Sequence, residues 1–326
     1  MQTQEIIKAI ESFDKKHILI IGDVMIDSYL RGDVERISPE APIPVVSIKN
    51  REDRLGGAAN VAININALSA KPILCSVIGI DDNCKTFFDL LEKENINNSG
   101  IIQATGRKTT LKTRIISNNQ HLLRVDDEQD NPISIDLQNN LIEKIISICK
   151  ETSIDAIIFE DYDKGVITPV IIKEITNYAN KKGIITTVDP KKKNFSYYKN
   201  ISLLKPNYKE FCEGIMCEVD KNDTQQMTDI ARKYMQNNNI KNMLITLSEN
   251  GVLAIDTENS YHIMGERRDI ADVSGAGDTV ISTLTLCMAA GMPLREIAII
   301  SNLAGGLVCE RSGVVPININ ELISEI

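Results

Sequence analysis

The sequence predicts an α/β fold, a mostly parallel sheet covered by helices. Two observations lead there. Short apolar runs, each of strand length, alternate along most of the chain with longer segments whose apolar residues recur at helical spacing. At 326 residues with 43% hydrophobic content, the chain can bury one substantial core. Aromatics make up only 4% and Trp is absent, so that core should consist of Ile, Leu, Val and Ala.

The elements follow in order. Residues 17–22 read as a first strand, and 58–68 as a helix with Val61, Ile65 and Leu68 on one face. A strand at 72–78 precedes a helix at 84–94 that turns Phe87, Phe88 and Leu91 inward. Leu137, Leu141, Ile145 and Ile148 mark another helix, followed by a buried strand at 154–159. Thr168 and Pro169 read as the N-cap and first residue of the next helix. Strands at 184–188, 201–204 and 242–247 come after it. Two stretches break the rhythm. Residues 44–48 and 111–125 look like β-structure, the second a hairpin turning at Asn118 and Asn119. The residues alone leave open whether these are edge strands of the main sheet or a separate piece. No repeat, low-complexity tract or linker divides the chain, so a single domain over 1–326 is expected.

A net charge of −9 argues against a nucleic-acid surface or an anionic membrane as partner. Any phosphate-bearing ligand must then be gripped by a local site. Seven cysteines, odd in number and without a C-x-x-C pair, suit reduced residues of a cytoplasmic protein. His17, His121 and His262 are far apart, so no His-based zinc or nucleophile motif is visible. The first sixteen residues are polar and amphipathic, unlike a secretory signal. No run reaches the ~18 apolar residues of a membrane span.

The strongest chemical signal is Asp272, Val273, Ser274, Gly275, Ala276, Gly277 and Asp278, opening a long apolar helical stretch. Glycines at 275 and 277 let backbone amides converge without Cβ crowding. A helix starting there adds unpaired N–H groups and the positive end of its dipole. The result is an anion hole at Gly275, Ala276 and Gly277, suited to the charge on a moving phosphoryl group. Asp278 at its edge can take the proton of an attacking hydroxyl. No Walker A sequence or protein-kinase glycine loop competes for the phosphate role.

This stretch resembles the C-terminal signature of the ribokinase-like (PfkB) carbohydrate kinases. Gly56, Gly57, Ala58, Ala59, Asn60, Val61 and Ala62 resemble their N-terminal signature, in the right order and more than 200 residues earlier. The resemblance implies a three-layer α/β sandwich with a small β-lid, placed at about 43–50 and 109–126, over the sugar site. It also implies ATP and Mg²⁺, leaves monovalent-cation activation open, and implies a homodimer clasped through the lids. Asp27 matches the family's sugar-binding Asp, with Asp23 a second carboxylate of the same loop. Gly56, Gly57 and Asn60 match its sugar clamp. Asn207 and Glu210 match the Asn-x-x-Glu element that places Mg²⁺ through water. Lys191, Ser248, Gly251 and Asn302 fall where ATP contacts are expected.

Within that family, two segments are similar to heptose 7-phosphate kinases. They are residues 21–29 with 32–45, which include Asp23, Asp27 and Arg36, and residues 54–62. Asp161, Tyr162, Asp163, Lys164 and Gly165 add to the likeness, although Asp163 stands where that family often has a small residue. Val273 and Ser274 replace a commoner Thr-Gly pair before the anion hole. The resemblance implies transfer of the ATP γ-phosphate to the anomeric hydroxyl of D-glycero-D-manno-heptose 7-phosphate, a step of ADP-heptose and lipopolysaccharide synthesis. Arg36, Arg114, Arg124 and Lys164 are candidates for the substrate's own phosphate, which an Arg fork meets two oxygens at a time. Many relatives carry a nucleotidyltransferase domain with a His-x-Gly-His motif that these residues lack, so the kinase step alone is expected. Two alternatives stay open: a kinase of another sugar or sugar phosphate, and a sugar-binding regulator without catalysis.

Overall fold

Alternating side chains of one short run set the layers of the structure, a computed structural model that describes residues 1–118, 120–265, 268–311 and 313–326. Helix α1 (Thr3–Glu11) leads into that run, strand β1 (His17–Gly22). Two long strands follow, β2 (Val24–Ile37) and β3 (Pro44–Gly57), then helix α2 (Ala58–Ala67). Next come β4 (Lys71–Gly79), α3 (Asp82–Lys93), β5 (Asn97–Ala104), β6 (Thr110–Ser117) and β7 (Gln120–Asp127). Alternation resumes with α4 (Ile135–Glu151), β8 (Ala156–Glu160), α5 (Pro169–Lys182), β9 (Ile185–Asp189) and the short β10 (Leu203–Leu204). Helices α6 (Tyr208–Ile215) and α7 (Thr224–Asn238) precede β11 (Asn242–Thr246), β12 (Val252–Ile255) and β13 (Ser260–Ile263). Helices α8 (Ala276–Ala289), α9 (Leu294–Cys309) and α10 (Ile319–Ser324) complete the chain.

In β1, Ile18 and Ile20 join a core cluster with residues of α1, α2, α8 and α9. Leu19 and Ile21 face the other way, into a cluster with α4, α5 and α7. A strand buried on both faces has to be apolar at consecutive positions, which is why the run carries no alternation. The main sheet has the order β13-β12-β11-β10-β9-β8-β1-β4-β5. It is parallel from β5 to β11 and antiparallel at β12 and β13. The expected three-layer α/β sandwich is the observed one. Thr168 caps α5 as expected, its hydroxyl accepting from the Ile171 amide with Pro169 in the first turn. Among the described residues no helix is long and apolar enough to cross a membrane.

The β-lid is a second sheet of order β3-β2-β6-β7, not an edge of the first. It is larger than the sequence suggested. Strand β3 runs on to Gly57, and β2 is a full strand at the lid's centre where the sequence suggested a loop. The outer half of β2 is solvent-exposed and carries Arg31, Gly32, Asp33, Glu35 and Arg36, a composition that masks its strand character. The hairpin between β6 and β7 is present, with Ser117 paired to Gln120. Of its two expected turn residues, Asn118 adopts φ 49° and Asn119 lies outside the described residues.

Candidate active site

The carboxyl ends of the central strands collect buried charge, as open α/β sheets do where they bind ligands. In register across β1, β8 and β9, Gly22 faces Glu160 and Glu160 faces Asp189. One residue past β10, Lys205 is 2% exposed and donates to Asp189 Oδ2 at 2.7 Å. Burial, with the nearby charges of Asp189 and Asp278, pushes the Glu160 carboxyl well above its usual range. Glu160 Oε2 and Asp189 Oδ1 are both buried with no hydrogen-bond partner among the described residues. Hard carboxylate oxygens without donors fit Mg²⁺, which takes few protein ligands and keeps waters. Glu160 and Lys205 were missed in the sequence, where each reads only as the residue ending a short strand.

Helix α8 begins beside this cluster. Gly275 caps it at φ 82°, a left-handed conformation that a side chain resists. Lys205 and Asp189 lie in ordinary contact distance of the side of Gly277 where a Cβ would stand. The Ala276 amide is in a long turn contact, 3.3 Å, with Val273 O. Asp278, in the first turn, is 7% exposed. Its Oδ2 accepts from Asn60 Nδ2 at 2.5 Å and its Oδ1 from the Tyr162 hydroxyl at 2.9 Å. Burial raises its pKa to about 6, against the opposing pull of those two donors. A carboxylate so placed is mostly ionised at neutral pH yet basic enough to accept a proton.

Tyr162 belongs to the segment 161–166, and here Asp23 shows its role. Its carboxylate is 1% exposed and accepts from the amides of Tyr162, Lys164 and Val166 at 2.9–3.1 Å. It therefore shapes this segment, with both of its carboxylate oxygens bonded to backbone amides there. Asp163 has φ 56°. That left-handed turn explains why a small residue is common there, and Asp tolerates it better than most.

On the lid, Asp27 lies within β2, where its carboxylate pairs with Arg114 of β6. Gly56, opposite Met25 on β3, makes room for it: a Cβ there would stand 2.3 Å from Asp27 Oδ2. Gly57 sits at the start of α2 and Asn60 one turn inside. The structure thus brings Asp27, Arg114, Gly56, Gly57, Asn60 and Asp278 together. Lys164 is also near, held by Glu128. Arg124 pairs across the hairpin with Arg114 but is 60% exposed and bonded to Asp126. Arg36 is not at the site. It is nine residues beyond Asp27 along β2, about 30 Å away, and exposed.

A cavity of about 390 Å³ opens on the far side of α8. Ser248, Gly251 and Asn302 line it together with Ala276 and Gly277, so the expected nucleotide contacts and the anion hole share one space. Asn207 N-caps α6 in a reciprocal bond with Glu210, and it bridges to Thr246 at the cavity. Lys191 pairs with Glu210, and its ammonium lies 5.5 Å from the Tyr162 ring centroid.

A sequence profile described as pfkB family carbohydrate kinase matches residues 15–320. The chain belongs to that family of carbohydrate kinases. Among curated proteins it is similar to bifunctional protein HldE of Methylobacillus flagellatus, 38% identical over 313 residues, 96% of this chain and 64% of that protein. The HldE of Helicobacter pylori strain G27 is 38% identical over 94% of this chain and 65% of its own length. The chain therefore spans just under two thirds of the curated relatives it matches. Among solved structures it is similar to phosphofructokinase-2 from Escherichia coli in complex with fructose-6-phosphate (TM-score 0.76, 19% identity, 95% of this chain and 97% of that one). Arabidopsis thaliana ribokinase complexed with ribose and ATP also aligns (TM-score 0.70, 15% identity, with 95% and 97% covered). These distant likenesses show that the fold is shared.

Proposed function

We propose that this PfkB protein phosphorylates the anomeric hydroxyl of D-glycero-D-manno-heptose 7-phosphate with ATP, in the cytoplasm, as one step of ADP-heptose synthesis. The observation that carries the reading is Asp278. A buried carboxylate with its pKa raised to about 6 stands in the first turn of α8, between the nucleotide cavity and the lid. Asp27, Asn60 and the Gly56–Gly57 backbone orient the sugar, since a carboxylate and an amide accept and donate to neighbouring hydroxyls. Asp278 takes the proton of the anomeric hydroxyl as that oxygen attacks the γ-phosphorus, the bond from phosphorus to the β,γ-bridging oxygen breaks and ADP leaves. The Gly275, Ala276 and Gly277 amides and the positive end of α8 stabilise the transferring group, and Lys205 adds a fixed charge beside them. Ser248, Gly251 and Asn302 hold the nucleoside end, and Lys191 stands by the phosphates. When bound, Mg²⁺ neutralises phosphate charge, and Glu210 with Asn207, Asp189 and Glu160 would hold it and its waters.

The heptose assignment rests on the similarity of residues 21–29, 32–45, 54–62 and 161–165 to heptose 7-phosphate kinases. The test is ATP consumption with Mg²⁺ against a panel of sugars with and without terminal phosphates. Turnover confined to the heptose phosphate is expected, and preference for fructose phosphates or free sugars overturns that substrate. The panel is run with and without potassium, because phosphofructokinase-2 of similar fold has been seen in complex with that ion.

The lid also supports a homodimer. Ile43, Ile48, Leu123 and Val125 are exposed apolar residues on its strands and connections, an unusual liability for a free surface. Val125→Lys should convert a dimer to a monomer in sedimentation, and an unchanged mass would place the interface elsewhere.

A further inference from the structure

On the side of the lid that faces the site, Lys112 is a cation without a carboxylate partner among the described residues. Lys112 of β6 is in register with Asp27 of β2 and Asp126 of β7, so the three share one sheet face, on the side of the site. Four cations nearby each have a carboxylate: Arg114 holds Asp27, Lys164 holds Glu128, Arg124 holds Asp126 and Lys191 holds Glu210. The Lys112 ammonium has no hydrogen bond or ion pair with any described residue. It rests 5.9 Å from the ring centroid of Tyr162. Lys112 is half-buried, and burial lowers its pKa. The charge of Lys164 acts in the same direction, against the opposite pull of Glu128, Asp27 and Asp126. An ammonium partly withdrawn from water and crowded by a second one is an arrangement that an incoming anion relieves.

Tyr162 ties this corner to the chemistry. Its ring lies under Lys112 while its hydroxyl holds Asp278. The cation and the catalytic carboxylate are therefore separated by about one tyrosine side chain, a span that a single sugar phosphate can bridge. A phosphate monoester carries about −1.5 to −2 charges near pH 7 and three acceptor oxygens, enough to meet two ammoniums at once.

We infer that Lys112, with Lys164 beside it, receives the phosphate at the unreactive end of the sugar substrate and so selects phosphorylated over free heptose. The inference rests on the heptose phosphate reading above. Its test is the ratio of kcat/KM for heptose 7-phosphate to kcat/KM for unphosphorylated heptose, in the wild type and in Lys112→Met. A drop in that ratio of about ten- to a hundredfold, carried by KM of the phosphorylated sugar, is the expected result. A ratio that does not change, or a loss that falls equally on both sugars, overturns the role of Lys112 while leaving the kinase reading intact. A wild type that prefers free heptose overturns the substrate reading, and Lys112 with it. Lys112→Gln serves the same comparison if the Met variant fails to fold.

Discussion

Strand β1 buries everything from Ile18 to Gly22, whereas β2, beginning two residues later, buries most of its first half and exposes nearly all of its outer half. The two strands belong to sheets with different tasks. In the main sheet, helices cover both faces, and the charged groups of its central strands gather where the strands end: Glu160, Asp189, Lys205 and, on α8, Asp278. There they are fixed in a low-dielectric setting, where a carboxylate shifts its pKa and a dipole acts at full strength. In the lid, Asp27, Arg114, Lys112 and Arg124 are partly or largely in water. Such groups exchange partners at small cost, which suits recognition more than bond making. Under the proposed function, the contrast would give turnover to the sheet and affinity to the lid.

The sharpest way to break that assignment is Asp278→Asn. Removing a general base costs about a hundred- to ten-thousandfold in rate. The loss should appear in kcat, with sugar affinity by calorimetry nearly unchanged, because Asn60 and Asp27 remain. On the lid, Asp27→Asn weakens a charged acceptor and leaves Arg114 without its carboxylate. A loss of about ten- to a hundredfold in kcat/KM is expected, carried by KM. If Asp27→Asn instead lowers kcat as far as Asp278→Asn does, with KM unmoved, the division between the two sheets is wrong.

The same division explains what could be read from the sequence. The main sheet was legible because strands buried on both faces read largely as short apolar runs, as in Ala156 to Phe159 of β8. Asp278 was legible because an anion hole needs glycines at fixed spacing. The lid was half legible. Strand β2 hides behind Gly32 and a series of charges, since a strand whose outer half lies in solvent has no apolar pattern to enforce there. Asp23 and Asp27 look equivalent along the chain, four residues apart. Only the fold separates them, turning Asp23 onto three amides of 161–166 and Asp27 onto Arg114 of the lid. Lys205 and Glu160 carry no signal beyond their place at a strand end, because what makes them part of the site is burial by segments distant in sequence.

Tyr162 touches both regions, and its substitution is the subtlest test of their separation. Its hydroxyl donates to Asp278 Oδ1 at 2.9 Å, which favours the ionised carboxylate and lowers its pKa. Tyr162→Phe keeps the ring against Lys112 and Lys191 and removes only that donor. With less support for the anion, the pKa of Asp278 rises from about 6. Since proton abstraction needs the ionised form, activity is lost on the acid side, and the acid limb of kcat/KM moves to higher pH. A shift of under about one unit is expected from one neutral hydrogen bond, with rates at pH 8 changed by no more than about threefold. The substrate phosphate titrates near the same pH, but it does so equally for both enzymes, so the difference between the two profiles belongs to the protein. A limb that stays in place would mean that Asn60 alone sets the basicity of Asp278. A large rise in KM with an unmoved limb would mean that Tyr162 serves the lid, as a platform for Lys112, more than the base.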